Sequence, residues 1–246
     1  MDVALPWLAP GDPLPTPESA WGLDTPAPGL LAAGGSLDTE TLCRAYAQGT
    51  FPWFSNGQPI LWWAPDPRMV LQVNQFKLHP SLRKTLKKFQ NSPECSITVD
   101  KAFSRVIRTC ATQSRKGQNG TWIVPSMVEA YEQLHALGVA HSVETWVDDK
   151  LIGGLYFVAL GKAVFGESMF AHVTDASKIA LAALVCIAKA QGVPWIDCQQ
   201  NTRHLASLGA AEIPRKAFVA DIQALSSEPD PLWVFESVYW SQLLPR

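Results

Sequence analysis

The sequence predicts an α+β protein with two parts, a small N-terminal α/β domain over residues 1–68 and a larger domain over residues 69–246. The first observation is that residues 125–198 follow the order helix, strand, strand, strand, helix, strand. The second is a proline-containing break at residues 64–68, which separates this pattern from a short helix and an aromatic hairpin. A chain of 246 residues is long enough to bury a sizeable core and corresponds to one or two domains.

The N-terminal part begins with a proline-rich segment. Seven of the 19 prolines lie in the first 30 residues, so we expect this segment to run extended over the surface. Asp38 is a suitable N-cap for a helix over residues 39–48, and Gly49 ends it. Asn56-Gly57 lies between two apolar runs, a pattern that predicts a hairpin.

The larger part contains the remaining predicted elements. The apolar periodicity and the positions of glycine and proline predict helices over residues 81–89, 102–112, 125–137, 177–190 and 201–208, and strands over residues 141–147, 151–160, 163–169, 195–198 and 215–221.

Composition excludes several classes of protein. The formal net charge is −2, so the molecule as a whole is not a polycation. We expect a monomer in the cytoplasm. We expect no membrane contact or secretion, because no apolar run approaches the ~20 residues of a membrane span and the first residues lack a basic signal-peptide region. The five cysteines are scattered without a CxxC motif, which suits reduced thiols better than disulfides or a zinc site.

One segment is strongly basic. Residues 74–116 contain ten lysines and arginines but only two acids, for a local charge of +8. Lys84, Lys87 and Lys88 have the spacing of one helix face. Basic groups flanked by tryptophans are typical of nucleic-acid binding, although a solvated surface is the alternative.

Asp197 and Gln199 are the first candidates for chemistry. They are two residues apart at the end of a predicted strand, so their side chains share one face, and an acid beside an amide could bind or deprotonate an amine. The alternative is that Asp197 caps the helix predicted from residue 201, and spacing alone favours this simpler role slightly. No phosphate-binding loop, GxGxxG, GxSxG or histidine pair with metal-ligand spacing is present, so we expect no metal site.

Glu167 is the second candidate, because it interrupts an otherwise apolar strand. A carboxylate in that position needs a partner, since burying it unpaired is costly. Either a cationic group of a substrate or a lysine or arginine of the protein would serve.

Six sequence blocks then occur in a fixed order. They are Phe51-Pro52-Trp53-Phe54, Trp62-Trp63-x-Pro65-Asp66-Pro67-Arg68, Gly120-Thr121-Trp122-Ile123, Gly166-Glu167-Ser168-Met169-Phe170, Ile196-Asp197-Cys198-Gln199 and Ala206-Ser207-Leu208-Gly209-Ala210. Together they resemble the bacterial leucyl/phenylalanyl-tRNA–protein transferase family over about residues 20 to 220.

The resemblance implies a fold and a reaction. The larger domain would be like the GCN5-related acetyltransferases, preceded by a small family-specific domain. The reaction would move leucine or phenylalanine from Leu-tRNA or Phe-tRNA to proteins with an N-terminal arginine or lysine, marking them for degradation. Because the aminoacyl ester is already activated, no cofactor is expected.

The resemblance also implies roles for individual residues. Asp197 and Gln199 match the catalytic pair, and Glu167 matches an acid of the substrate site. The remaining matches are substrate contacts: Trp53 and Trp122 near the terminal adenosine, Leu155, Val164 and Leu184 in the side-chain pocket, and Lys84, Lys87 and Lys88 in the basic cluster that binds tRNA.

Two other functions remain as alternatives. A coenzyme-A-dependent N-acyltransferase would need a glycine-rich turn before a helix to hold the pyrophosphate, but residues 171–177 contain no glycine and carry Asp175. A non-catalytic RNA-binding protein is compatible with the basic segment but gives Glu167, Asp197 and Gln199 no role.

Overall fold

The computed structural model describes residues 4–113 and 123–244. The strands are β1 (Trp7–Leu8), β2 (Leu30–Gly34), β3 (Phe51–Pro52), β4 (Leu61–Trp63), β5 (Arg68–Gln72), β6 (Cys95–Val99), β7 (Ala140–Val147), β8 (Lys150–Leu160), β9 (Ala163–Ala171), β10 (Trp195–Asp197) and β11 (Ala211–Ile213). The helices are α1 (Thr39–Ala47), α2 (Pro80–Gln90), α3 (Phe103–Thr112), α4 (Pro125–Ala136), α5 (Ala176–Gln191), α6 (Arg203–Ser207) and α7 (Arg215–Leu225). Within these residues, no helix is long and apolar enough to cross a membrane.

The described strands form two sheets. The smaller has the order β1-β2-β4-β3, and the larger has the order β11-β5-β10-β9-β8-β7-β6. Strands β7, β8 and β9 form an antiparallel meander, and α5 then crosses over to β10, which pairs with β9 in parallel. This confirms the α+β fold class and the predicted order of helix, three strands, helix and strand.

The N-terminal elements follow the local signals in the sequence. The Asp38 side chain accepts a hydrogen bond from the Thr41 backbone N–H at 2.9 Å, which confirms the predicted N-cap of α1. Strands β3 and β4 pair around the Asn56-Gly57 turn, where Gly57 has a φ of 82°, so the predicted hairpin is also confirmed. From residue 4 onward, the proline-rich segment contains β1, one short 3₁₀ turn and turns at residues 10–11 and 23–29, but no α-helix.

Two apolar cores cover the two faces of the large sheet. One contains residues of α1, α3, α4 and α7, among them Tyr46 and Tyr131, which pack with Phe165 of β9. The other contains residues of α2 and α5, with Leu155 and Leu184. Tyr46 belongs to the N-terminal part and yet packs on Phe165 of the large sheet, with ring centroids 5.0 Å apart. A domain boundary near residue 68 stays a prediction.

Several segments differ from the sequence-based expectation, and β1, β2, β6 and β11 were not predicted. The strand predicted over residues 215–221 is wrong, because this segment is helix α7, which buries Phe218 and Ile222 four residues apart on one face. The sequence analysis placed only a chain break at Arg68, whereas Arg68 begins β5, which lies between β11 and β10 in the large sheet.

Candidate active site

A cavity opens where β9 and β10 stop pairing. Their parallel ladder joins Ile196 to Val164 and Asp197 to Phe165. Past this point, a cavity of about 300 Å³ lies between the strands, within the size range of small-molecule sites. Strands that separate at their carboxyl ends leave backbone and side-chain groups exposed to a ligand.

The inner wall of this cavity is apolar. It is formed by Leu155, Met169, Leu181, Leu184 and Ile196. The structure therefore brings two of the three predicted pocket residues, Leu155 and Leu184, to the cavity. The third, Val164, is buried in the same core but does not line the cavity, because it lies in the paired part of β9.

Sequence reasoning missed Leu181 and Met169. Spacing could have indicated both, since Leu181 lies one helical turn before Leu184, and Met169 lies two strand residues after Glu167.

A β-bulge displays Glu167 at the cavity. Tyr156 pairs with Ser168 and Phe157 pairs with Gly166, so Glu167 is the extra residue in β9. Bulges of this kind redirect a side chain and are common beside active sites.

Two buried tyrosines hold the Glu167 carboxyl group. The Tyr46 hydroxyl donates to Oε1 at 2.7 Å, and the Tyr131 hydroxyl lies 3.4 Å from Oε2. The two tyrosines are also hydrogen-bonded to each other, and both side chains are fully buried. Of the two partners expected for Glu167, a lysine or arginine of the protein is wrong, because its hydrogen-bond partners in the described part of the protein are neutral donors.

This environment changes the proton affinity of Glu167. Burial raises the pKa of its carboxyl group from an ordinary 4.5 to about 8. The hydrogen bond from Tyr46 opposes the rise in pKa, and the negative charge of Asp197 adds to it. Burial also raises the pKa of both tyrosines, so they stay protonated and remain donors. Glu167 can therefore exchange a proton near neutral pH, as a general acid or base must.

Asp197 forms a buried ion pair with Arg68. Arg68 Nε and Nη2 donate to the two carboxylate oxygens at 2.8 and 2.6 Å, and neither residue is more than 1% exposed. Arg68 is fixed further by Nη1, which donates to the Gly49 carbonyl at 3.0 Å, and by the rings of Phe51 and Phe218, whose centroids are 4.8 and 4.6 Å from its Cζ.

Sequence reasoning missed the role of Arg68. The available signal was a charged residue at the start of the apolar run Met69-Val70-Leu71. A charge in that position also needs a buried partner.

Gln199 connects Asp197 with Glu167. Its backbone is left-handed, with a φ of 55°, and its N–H donates to Asp197 Oδ1 at 3.0 Å. Its Nε2 donates to the Gly166 carbonyl at 2.7 Å and to Glu167 Oε1 at 3.3 Å. Both Nε2 protons are thereby used, and Gln199 Oε1 accepts no hydrogen bond from any residue that the structure describes.

Two expectations about Asp197 are wrong. Asp197 and Gln199 do not lie on one strand face, because β10 ends at Asp197 and Gln199 is left-handed. Asp197 is also not a helix cap, because Thr202 caps α6 through a hydrogen bond from the Leu205 N–H at 3.2 Å.

The outer rim of the cavity adjoins the basic helix. Thr202, His204 and Leu205 line the rim, and the His79 side chain before α2 is 2.7 Å from the Ser207 carbonyl at the end of α6. Burial, with a smaller contribution from a nearby lysine, lowers the pKa of His204.

Helix α2 itself has two different faces. Leu82, Leu86 and Phe89 are buried in the core, and Lys84, Lys87 and Lys88 are exposed, as the spacing predicted.

The two predicted adenosine contacts have different outcomes. Trp53 is 36% exposed and packs edge-to-face on Trp63, with centroids 5.4 Å apart, but it does not line the cavity. Trp122 lies outside the described residues. Among the residues that are described, no group of three or more histidine, cysteine or acidic side chains could hold a metal ion.

Comparison with known proteins identifies the chain. The family model "Leucyl/phenylalanyl-tRNA protein transferase" matches residues 70–223, and the model of that family's N-terminal domain matches residues 35–66. A protein of Polaromonas sp. named leucyl/phenylalanyl-tRNA–protein transferase is 63% identical, covering 98% of this chain and 94% of the relative. The protein of the same name from Albidiferax ferrireducens is 60% identical with the same coverage.

Two solved structures are more distant. A GCN5-related N-acetyltransferase from Kribbella flavida has a TM-score of 0.35 and 9% identity, covering 68% of this chain and 58% of that one. L-PGS from Bacillus licheniformis has a TM-score of 0.39 and 11% identity, covering 82% of this chain and 65% of that one.

The protein is an enzyme of the transferase class on a mixed α/β fold. It belongs to the leucyl/phenylalanyl-tRNA protein transferase family, as the matches over almost its whole length show. The resemblance inferred from the six sequence blocks is thereby confirmed.

Proposed function

We propose that this enzyme transfers leucine or phenylalanine from Leu-tRNA or Phe-tRNA to proteins with an N-terminal arginine or lysine, which marks them for degradation. The observation that carries the proposal is the apolar cavity directly beside the Glu167 and Gln199 side chains. The cavity would take the aliphatic or aromatic side chain of the amino acid. The polar groups beside it would take the reacting amine.

The reaction balances without an added reactant. The acceptor's α-amino nitrogen attacks the ester carbonyl carbon, and a C–N bond forms. The bond between that carbon and the 3′-oxygen of the terminal adenosine breaks, and the 3′-oxygen leaves with a proton. The attacking amine gives up one proton. Because the pKa of an α-amino group is ordinarily ~8, part of the acceptor is already a neutral amine near neutral pH. No cofactor is required because the ester supplies the activation.

Glu167 and Gln199 divide the work on the amine. Gln199 Oε1 can accept a hydrogen bond from the amine and orient it, because the described residues leave this atom without a donor. Glu167, with a pKa of about 8, can take the proton and return one to the leaving oxygen. The ribose 2′-hydroxyl of the donor is the alternative proton carrier.

Asp197 has an indirect role in this proposal. Both of its oxygens accept hydrogen bonds from Arg68, and one also accepts from the Gln199 N–H. Asp197 is therefore a positioning residue that holds Gln199 in its left-handed conformation beside Glu167. This assignment replaces the direct catalytic role that the resemblance implied.

The turn before α5 argues against coenzyme A as the donor. Asp175 occupies the N-cap position of α5, and its carboxylate is 2.8 Å from Lys178 Nζ. A carboxylate at this position repels the pyrophosphate that a helix N-terminus would otherwise attract.

A direct transfer assay tests the function. Purified protein is mixed with radiolabelled Leu-tRNA and a peptide that begins with arginine, and we expect label in the peptide. Peptides beginning with lysine and with alanine test the acceptor rule. Transfer from acetyl-CoA, with none from Leu-tRNA, would contradict the proposal.

Two substitutions test the site. Gln199→Ala is expected to lower turnover by roughly 10²- to 10⁴-fold while tRNA binding changes little. Gln200→Ala is the matched control, because Gln200 is the exposed neighbour of Gln199. Glu167→Gln is expected to raise the acceptor's KM or reduce turnover, again with tRNA affinity little changed. Normal kinetics in a folded Gln199→Ala protein would exclude this site.

The lysines of α2 are the proposed tRNA contact. Each phosphate contact steepens the plot of log K against log salt by about 0.7 to 0.9. Replacing Lys84, Lys87 and Lys88 by alanine should flatten that slope by roughly two units without changing the choice between leucine and phenylalanine. An unchanged slope would mean that this face is only a solvated surface.

The setting of the enzyme is also a proposal. All five cysteines are free thiols, which supports a reducing compartment such as the cytoplasm. We expect a monomer, which size-exclusion chromatography with light scattering would test.

A further inference from the structure

A second cavity lies beside the edge strand β6 of the large sheet. It has a volume of about 430 Å³ and is lined by Asp100, Lys101, Ser104, Arg105, His135 and Trp146, among others. These residues surround the segment between β6 and α3. None of them has a role in the transfer chemistry described above.

Two cations converge in this cavity on one aromatic ring. Lys101 Nζ is 5.1 Å from the centroid of the Trp146 ring, and Arg105 Cζ is 5.3 Å from it. The ring is itself fixed, because Trp146 is only 6% exposed and its Nε1 donates to Thr98 Oγ1 at 2.7 Å. Two exposed, flexible side chains are therefore held at one place by cation–π contacts.

Neither cation is neutralised by a described carboxylate. In the part of the chain that the structure describes, neither Lys101 nor Arg105 forms an ion pair. By contrast, Arg108, one turn after Arg105 on α3, pairs with Glu132 at 3.0 Å. Two like charges close together repel, and an anion bound between them removes that cost.

The acids near these cations are engaged elsewhere. Asp100 accepts from the Ser142 N–H at 2.8 Å, and its other oxygen is 2.7 Å from His141 Nδ1. Glu144 is fully buried and accepts hydrogen bonds from Thr98, Ser142 and the Ala102 N–H. Both carboxyl groups therefore face β6 and β7 partners, and Lys101 and Arg105 remain available to an external anion.

The two cavities lie on opposite faces of the large sheet. Phe103 and Trp146 of the second cavity belong to the core that contains α3 and α4, whereas Leu155 and Leu184 of the catalytic cavity belong to the core that contains α2 and α5. Within the sheet, β6 is three strands from β9, a spacing of about 14 Å. In sequence, α2 precedes β6 and Lys101 follows it, so the two basic groups flank the edge strand of the sheet.

We propose that Lys101 and Arg105 bind a backbone phosphate of the donor tRNA, as a second contact in addition to the lysines of α2. This inference rests on the proposed function, which supplies a polyanion whose 3′ end occupies the catalytic cavity. Contacts to phosphates fix the orientation of a nucleic acid without reading its sequence. The contact would therefore orient the acceptor arm rather than select the amino acid.

The test compares two double variants. Lys101→Gln with Arg105→Gln removes the proposed contact, and Lys150→Gln with Lys216→Gln removes two exposed charges elsewhere. The Kd for Leu-tRNA is measured from 0.05 to 0.5 M salt. We expect the first variant to flatten the log–log slope by about 0.7 to 0.9 units, as the loss of one phosphate contact requires, and the control to leave the slope close to that of the wild type. At 0.1 M salt this corresponds to a Kd raised about 5- to 8-fold.

A donor without phosphodiesters shows whether the first variant loses only tRNA binding or also loses its fold or its chemistry. With 3′-O-phenylalanyl-adenosine, kcat/KM should be the same in the first variant and the wild type, because this donor has no phosphate to contact. If the wild type transfers leucine from tRNA and the first variant has the same salt slope as the wild type, this inference alone is overturned. An equal loss with both donors would overturn it too, whereas a wild type that uses no aminoacyl-tRNA would overturn the proposed function.

Discussion

The raised pKa of Glu167 makes a prediction about stability that does not depend on an activity assay. Unfolding returns this carboxyl group from a pKa of about 8 to its ordinary 4.5. Between those two values the folded protein binds a proton that the unfolded chain has released. The free energy of unfolding must therefore fall as the pH rises through this window.

The size of the effect follows from the shift in pKa. Each pKa unit corresponds to 1.36 kcal/mol. The ionisation of Glu167 therefore lowers the free energy of unfolding by at most about 5 kcal/mol above pH 8, and this loss vanishes below about pH 4.5. Glu167→Gln removes the titration and keeps an oxygen that can accept the Tyr46 hydrogen bond. We expect the variant to be similar to the wild type in stability at pH 5 and several kcal/mol more stable at pH 9.

Urea unfolding of both proteins at intervals from pH 5 to pH 9 measures this difference. Glu212→Gln serves as the control for loss of an exposed carboxylate, and its difference from the wild type should change far less over the range. A difference between Glu167→Gln and the wild type that is the same at pH 5 and pH 9 would refute the reasoning. Glu167 would then ionise as an ordinary surface carboxylate does.

Three further predictions concern the groups around Glu167. Arg68→Met and Asp197→Asn should each lower the free energy of unfolding by about 3 to 5 kcal/mol in urea titrations, because each leaves a buried partner unpaired. The double variant Arg68→Met with Asp197→Leu should recover stability but not aminoacyl transfer activity. Tyr131→Phe removes a hydrogen bond that lowers the Glu167 pKa, so the rise of kcat with pH should move to higher pH in stopped assays. Leu184→Ala enlarges the cavity, so the ratio of kcat/KM for Phe-tRNA to kcat/KM for Leu-tRNA should rise about tenfold or more in competition assays. An unchanged ratio would mean that the side chain of the transferred amino acid binds elsewhere.

Much of the local structure and the family can be predicted from the amino-acid sequence alone. Asp38 predicts the start of α1, and Asn56-Gly57 predicts the hairpin, because both act through hydrogen bonds and backbone angles within a few residues. The helix and strand order after residue 125 follows from apolar periodicity. The six ordered blocks identify the family and indicate Glu167, Asp197 and Gln199 as residues of interest.

The surroundings of these residues depend on contacts between distant parts of the chain. Arg68 and Asp197 are 129 positions apart and meet because β5 and β10 are neighbours in the sheet, which no local pattern encodes. The Glu167 bulge depends on the register between β8 and β9, and the left-handed backbone of Gln199 depends on its hydrogen bond to Asp197. Helix α7 was predicted as a strand, although Phe218 and Ile222 have the spacing of one helix face. Local signals act through neighbours in the chain, whereas charge pairing, burial and the pKa of Glu167 are set by groups that folding brings together from distant positions.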